Sequence, residues 1–296
     1  MTATLSLGSV LFNWDAEDKR DFYFRIADEA PLDTVYVGEV VCSKRAPFFD
    51  RYLPEVVERL RRGGKQVVHS TLVLIMSERE MDAVRALAGI PELLIEANDI
   101  GSAALLAGRP HVIGPFVNIY NEDTLNYLAR KGASMVSLPW ELSSPSIASL
   151  AKSAAVELEV QVFGRVPLAI SARCYHARMH GLHKDGCRYV CAEDPDGMSV
   201  ETLDGESFLS VNGTQTLSHT VSNLIGELEE LQEMGIRAFR LWPHSVDMVA
   251  VTEVFRDVLD GKRTADDGRR RLEALAGFAP FSNGFYYGRE GAALLP

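Results

Sequence analysis

Four cysteines stand out among the 296 residues, at positions 42, 174, 187 and 191. Cys42 lies in Val40-Val41-Cys42-Ser43-Lys44-Arg45, and the other three fall between Ser171 and Cys191. Four thiolates can fill the coordination sphere of a soft metal centre. Structural zinc favours two tight Cys-x2-4-Cys pairs, whereas here one close pair, Cys187-x3-Cys191, stands with Cys174 and an isolated Cys42. Iron–sulfur clusters accept scattered cysteines because the inorganic core brings its own geometry. Spacing leaves three readings open, namely an iron–sulfur cluster, zinc, or ordinary buried thiols.

Other residues share these segments. His176, His180 and His183 offer imidazoles that can replace a thiolate or hold a second metal. Lys44 and Arg45 follow Cys42, and Arg173 and Arg178 flank Cys174, so a thiolate site would have cations beside it. An anionic small molecule would draw on Lys44, Arg45, Arg173 and Arg240. Glu39, Glu96, Asn118 and Glu141 close expected strands, while Trp140 and Trp242 could line an aromatic pocket or simply pack at a rim.

The elements that must position these groups read as strand and helix in alternation. Strands are expected at 5–12, 34–37, 66–74, 93–96, 111–118, 135–138, 157–162 and 238–241. Helices are expected between them, including one stripe on Phe49, Leu53, Val56 and Leu60, a capping box at Ser77 and Glu80, and a strong helix on Val221, Leu224, Ile225, Leu228 and Leu231. A helix from Val246 to Leu259 ends the series. Eight such units imply a (β/α)8, TIM-barrel-like α/β fold, with an open doubly wound sheet as the alternative. Residues 1–296 are expected to form a single barrel domain with a cysteine-bearing insertion after strand seven, roughly 164–217, and an aromatic tail at 278–296. Paired strands around Asp204-Gly205 belong to that insertion. Barrel active sites lie at the C-terminal strand ends, so the loops after strands two and seven share one rim, and Cys42 is expected close to the other thiols.

A net charge of −11 disfavours nucleic acid as a partner. No apolar run approaches the ~20 residues of a membrane span. The first residues lack a basic region followed by an apolar run, and a cytoplasmic location, where thiols stay reduced, is expected.

At these residues a resemblance enters. Glu159 to Cys174, ending Pro167-Leu168-Ala169-Ile170-Ser171-Ala172-Arg173-Cys174, resembles the signature of the collagenase-like peptidase family. Val41-Cys42-Ser43-Lys44-Arg45 and Ser282-Asn283-Gly284-Phe285-Tyr286-Tyr287 are similar to its UbiV-like branch, which belongs to oxygen-independent ubiquinone biosynthesis. The wider motif has a further cysteine where this chain has Pro167, a change that marks that branch. The resemblance implies a [4Fe–4S] cluster on Cys42, Cys174, Cys187 and Cys191 and a heterodimer with a UbiU-like protein. It further implies a part in hydroxylating a quinone precursor ring without O2, with prephenate as a candidate oxygen source. A zinc-dependent barrel enzyme and a non-catalytic cluster-bearing partner are the alternatives. No catalytic residue is assigned. His-Glu-x-x-His and Gly-x-Ser-x-Gly are both absent from the chain, so peptidase chemistry is not expected.

Overall fold

The computed structural model describes residues 3–296. Eight parallel strands close on themselves: β1 (Thr4–Leu7), β2 (Thr34–Val37), β3 (Gln66–Ser70), β4 (Leu94–Ala97), β5 (His111–Ile113), β6 (Ala133–Ser137), β7 (Glu157–Ile170) and, after three antiparallel strands, β11 (Ala238–Leu241). β11 pairs with β7 on one side and with β1 on the other, which completes the barrel. The antiparallel strands are β8 (Met198–Glu201), β9 (Ser207–Asn212) and β10 (Gln215–Asn223), and a short β12 (Phe281–Ser282) adds beside β10. Helices α1 (Ala16–Glu29), α2 (Ala46–Phe49), α3 (Leu53–Arg62), α4 (Glu78–Ala88), α5 (Ile100–Leu105), α6 (Glu122–Arg130), α7 (Ser144–Ser153), α8 (Tyr175–Met179), α9 (Leu228–Glu233), α10 (Met248–Leu259) and α11 (Ala265–Leu275) follow the chain order.

The caps explain several helix starts. Ser77 accepts the Glu80 amide at 3.3 Å, while the Glu80 carboxylate reaches back to the Met76 amide at 2.7 Å. Asn121 caps α6 through the Thr124 amide. The expected stripe on Phe49 to Leu60 is broken into α2 and α3 at Asp50 to Tyr52. The expected helix on Val221 to Leu231 is not one element: Val221 to Asn223 end β10, and only Leu228 onward is helical. Val221 and Leu224 satisfy helical spacing, but pairing with Phe281, Arg165 and Phe163 claims that backbone first. α11, absent from the expected series, packs on α10 with Gly268 against Val254 and Val258 and buries Leu272.

The barrel interior has three layers. Near the N-terminal strand ends lie Tyr36, Val68 and Val112, with Leu94 and Met135 against them. Near the opposite ends Leu11, Val40, Val41 and Trp242 pack with Phe116 and Trp140. Between them sits a charged layer. Arg240 is fully buried, with Nη1 2.6 Å from Glu96 and Nη2 2.5 Å from Glu159. Its guanidinium carbon stands 3.6 Å from the Tyr36 ring centre, with Trp242 on its other side at 5.4 Å. Ser6 and Ser70 donate to the two carboxylates at 2.6 Å, so the charges are hydrogen-bonded as burial requires.

β7 does two jobs. Glu159 to Phe163 pair with β11 in the barrel wall, and Phe163 to Ile170 pair antiparallel with β10 outside it. The change occurs at Gly164, whose φ is +131° and whose added Cβ would lie 2.7 Å from Trp242. Gly8 makes the same allowance for the Trp242 ring. Both glycines let the indole seat at the barrel mouth.

Candidate functional site

The extension of β7 delivers its end to the C-terminal rim. Cys174, Cys187 and Cys191 follow it, and Cys42 follows β2. The loops meet as topology demands: Cys42, Cys174, Cys187 and Cys191 line one cavity with Lys44, Arg45, Lys184, Tyr189, Val190 and Gly213. Its volume is about 20 Å³, close to one water-sized sphere.

Three of the four thiols have a local anchor. The Cys42 amide donates to Glu39 Oε1 at 3.0 Å, so the Glu39 carboxylate folds the turn that presents the sulfur. Cys174 stands at the start of α8, where its Sγ accepts the Ala177 amide at 3.4 Å. Asn13 Nδ2 donates to Cys191 Sγ at 3.3 Å. Between Cys187 and Cys191, Arg188 and Tyr189 both take the left-handed conformation, with φ of 51° and 57°. Two consecutive non-glycine residues there store strain, which the Tyr189 ring contact with Phe48 helps to hold. Burial pushes the Cys42 and Cys174 thiols above their ordinary values, with Arg45 and hydrogen bonds opposing.

Arg45 organises the cavity wall. It is buried, donates from Nη1 to Leu11 O at 3.0 Å and from Nη2 to Asn212 Oδ1 at 2.7 Å. Asn212 Nδ2 in turn binds the carbonyls of Cys191 at 2.9 Å and Asp194 at 2.8 Å. Burial works against the Arg45 charge, but Glu39, Cys191 and Cys42 more than offset it. Gly213 is required beside it: φ is +69° and a Cβ would fall 2.2 Å from Arg45 Nη2. Lys44 ties the same loop to the Lys184 carbonyl at 2.8 Å and Asp185 at 2.9 Å.

The expected [4Fe–4S] cluster is corrected by the donor geometry. Among the described residues, the group of His, Cys, Asp or Glu donors that closes on itself within 4.8 Å is His176, His180 and Asp194, and the four thiols form no such group. Two of the sulfurs are instead engaged singly by Asn13 and the α8 amide, and the space they enclose with their partners is ion-sized.

The other expected residues separate clearly. His176 is buried, His180 and His183 are exposed, and His183 stands outside the three-donor group. Burial lowers the His176 imidazole below its ordinary value. Arg173 and Arg178 are exposed. Arg240 and Glu96 pair with each other inside the barrel and are not free for a ligand. Asn118, at φ 61°, ends a short 3-10 turn, and Glu141 accepts the Tyr120 hydroxyl. Trp140 and Trp242 pack on each other at 5.5 Å and on Phe116, closing the mouth of the barrel.

The sequence reading missed a cleft of about 980 Å³ beside the thiol cavity. Lys44, Cys187 and Tyr189 line both. Its walls carry Glu39, Asp50, Arg79, Glu80 and Arg188, and it has the size of a small-molecule site. It lies between the turns after β2 and β3, the usual rim position for barrel substrates. No helix of the described residues is long and apolar enough to cross a membrane.

Comparison with known proteins adds the lineage. The tRNA hydroxylation protein P2 of Bacillus subtilis (strain 168) is 28% identical over 194 residues, covering 62% of this chain and 60% of that protein. The chain thus matches about three fifths of that relative's length. A chain of the tryptophan synthase complex from Pyrococcus furiosus covers 94% of this chain and 100% of itself, at 12% identity and a TM-score of 0.43, a likeness with no bearing on the chemistry. The model of peptidase family U32 matches residues 22–295, nearly the whole barrel together with its cysteine-bearing insertion, and the chain belongs to that family.

Proposed function

We propose that this chain is a UbiV-like member of the family that acts with a UbiU-like partner in O2-independent hydroxylation of a quinone precursor ring, and that it does not hydrolyse peptides. The observation that carries the reading is the meeting of Cys42 with Cys174, Cys187 and Cys191 at one cavity, from segments more than 130 positions apart. On this reading the four thiols are the cofactor-binding residues of the cavity they line. The adjoining cleft takes the small molecule, and Lys44 borders both spaces. Arg79 and Arg188 supply positive charge for an anionic co-substrate. Hydroxylation as the reaction class is supported by the likeness to the tRNA hydroxylation protein P2 of Bacillus subtilis. Ring rather than RNA as the target is supported by the net charge of −11, which repels a phosphate backbone.

The test is complementation. The chain is expressed with a UbiU-like protein in a bacterium that lacks its own UbiV-like protein, grown without O2, and ubiquinone is measured. Restored ubiquinone with the wild type and loss with Cys42→Ser is the expected result. Ubiquinone at the level of the empty vector, with the protein present and folded, removes the reading. Restored tRNA hydroxylation instead would assign the RNA branch.

A further inference from the structure

His176 on α8 and His180 at its C-cap stand four residues apart, with parallel rings 5.3 Å between centres and 2° between planes. Asp194 reaches them from the end of the 3-10 turn Val190–Glu193. The donor atoms of all three lie within 4.8 Å of one another. His176 is the decisive member. Its Nδ1 lies 3.2 Å from the Val211 carbonyl, a contact that places the ring proton there and leaves the lone pair on Nε2. That Nε2 is buried and makes no hydrogen bond, although Asp194 Oδ2 is 3.1 Å away. The imidazole nitrogen and the carboxylate oxygen thus face each other at close range outside hydrogen-bonding geometry, an arrangement that a cation between them relieves. A carbonyl holding the far nitrogen of an imidazole is the arrangement that metal-bound histidines use.

We propose that His176, His180 and Asp194 bind a divalent transition-metal ion of the zinc class, separate from the thiol cavity. Imidazole and carboxylate donors suit such an ion, and three protein ligands leave one position for water. His176 is preset by the Val211 carbonyl. Asp194 is preset through its own backbone, whose carbonyl accepts Asn212 Nδ2 at 2.8 Å and the Gly197 amide at 3.0 Å. His180, exposed, supplies the adjustable third arm. The ion staples α8 to the 190–193 turn. Cys174 precedes the first and Cys191 lies in the second, so the ion sets the distance between two thiols without touching either. The site stands on these contacts and does not depend on the hydroxylation reading.

Cobalt(II) separates this site from the sulfurs, because thiolate ligands give intense near-ultraviolet charge transfer and imidazole or carboxylate ligands do not. Chelator-stripped full-length protein, kept without oxygen, is dialysed against cobalt(II) as wild type, His180→Ala, Asp194→Asn and His183→Ala. The wild type and His183→Ala are expected to bind an equivalent that gives weak visible bands and no sulfur charge transfer, whatever the thiols bind besides. His180→Ala and Asp194→Asn, each folded by circular dichroism, are expected to lose that equivalent or bind it at least ~tenfold more weakly. Equal binding and spectra in all four proteins, or sulfur charge transfer on every bound equivalent in the wild type, overturns the proposal.

Discussion

Arg45 Nη2 donates to Asn212 Oδ1 at 2.7 Å, and through that bond the loop of Cys42 is fastened to the strand behind Cys191. Asn212→Ala removes the acceptor from a buried guanidinium and the donor from two carbonyls. The expected cost is about 2–4 kcal/mol, since hydrogen bonds to charged groups count about 1.5–3 each and orphaned buried groups add their desolvation. Urea denaturation reads the loss. Faster labelling of Cys191 by a thiol reagent should accompany it, and unchanged stability would show that the bond is idle.

Gly213→Ala strikes the same wall from the other side. The residue occupies φ +69°, and a methyl group would sit 2.2 Å from Arg45 Nη2. Left-handed strain and displacement of the buried arginine together should cost about 2–4 kcal/mol. Gly205→Ala, also at positive φ but with open space around its Cβ position, should cost only the backbone strain, about 1 kcal/mol. Similar melting shifts for the two variants would contradict the crowding at 213.

In the barrel interior Arg240 balances Glu96 and Glu159. Arg240→Met leaves two carboxylates without their cation, and about 3–5 kcal/mol of stability should go with it. Adding Glu96→Gln and Glu159→Gln removes the charges and should return a large part of the loss. Denaturant titration of the single and triple variants checks both statements.

His69 gives the fold a defined acid sensitivity. By strand alternation it faces the helix layer, because Val68 and Ser70 face inward. Burial, with Arg61 adding, lowers its pKa from 6.5 to about 4. Above pH 6.5 the ring is neutral in both states and contributes no pH dependence. Below it the unfolded chain takes the proton first, so stability falls as pH drops from 6.5 towards 4, by about 3.4 kcal/mol at most. His69→Gln should flatten the stability profile across that window by about one proton's slope. A profile parallel to the wild type would refute the assignment.

Much of the architecture was legible in the sequence. Short β-branched runs such as Thr34 to Val37, and capped amphipathic helices such as α6, carry a local signal that tertiary contacts do not overturn. The shared rim of Cys42 and Cys174 followed from topology alone. The break at 221–228 was hidden because Val221, Leu224 and Leu228 satisfy a helix period while β-pairing decides the outcome. The Arg240 layer had a faint signature, a charge between apolar neighbours in Phe239-Arg240-Leu241, Ile95-Glu96-Ala97 and Leu158-Glu159-Val160. The donor set of the histidines was harder to see. His176 and His180 stand four residues apart at one helix and its cap, but Asp194 joins them through tertiary contacts, among them the hydrogen bonds of Asn212 to Cys191 and Asp194. Nothing in the spacing distinguishes Asp194 from Asp185, or His180 from His183.

β7 runs unbroken from the barrel wall into the antiparallel sheet, with Phe163 paired on both sides of the transition. The cysteine-bearing region is therefore no detachable cassette. A cut at Gly164 would open the seam with β11 and strip β10 of its companion at one stroke. Transplanting these loops to another barrel would mean carrying the staff they hang from.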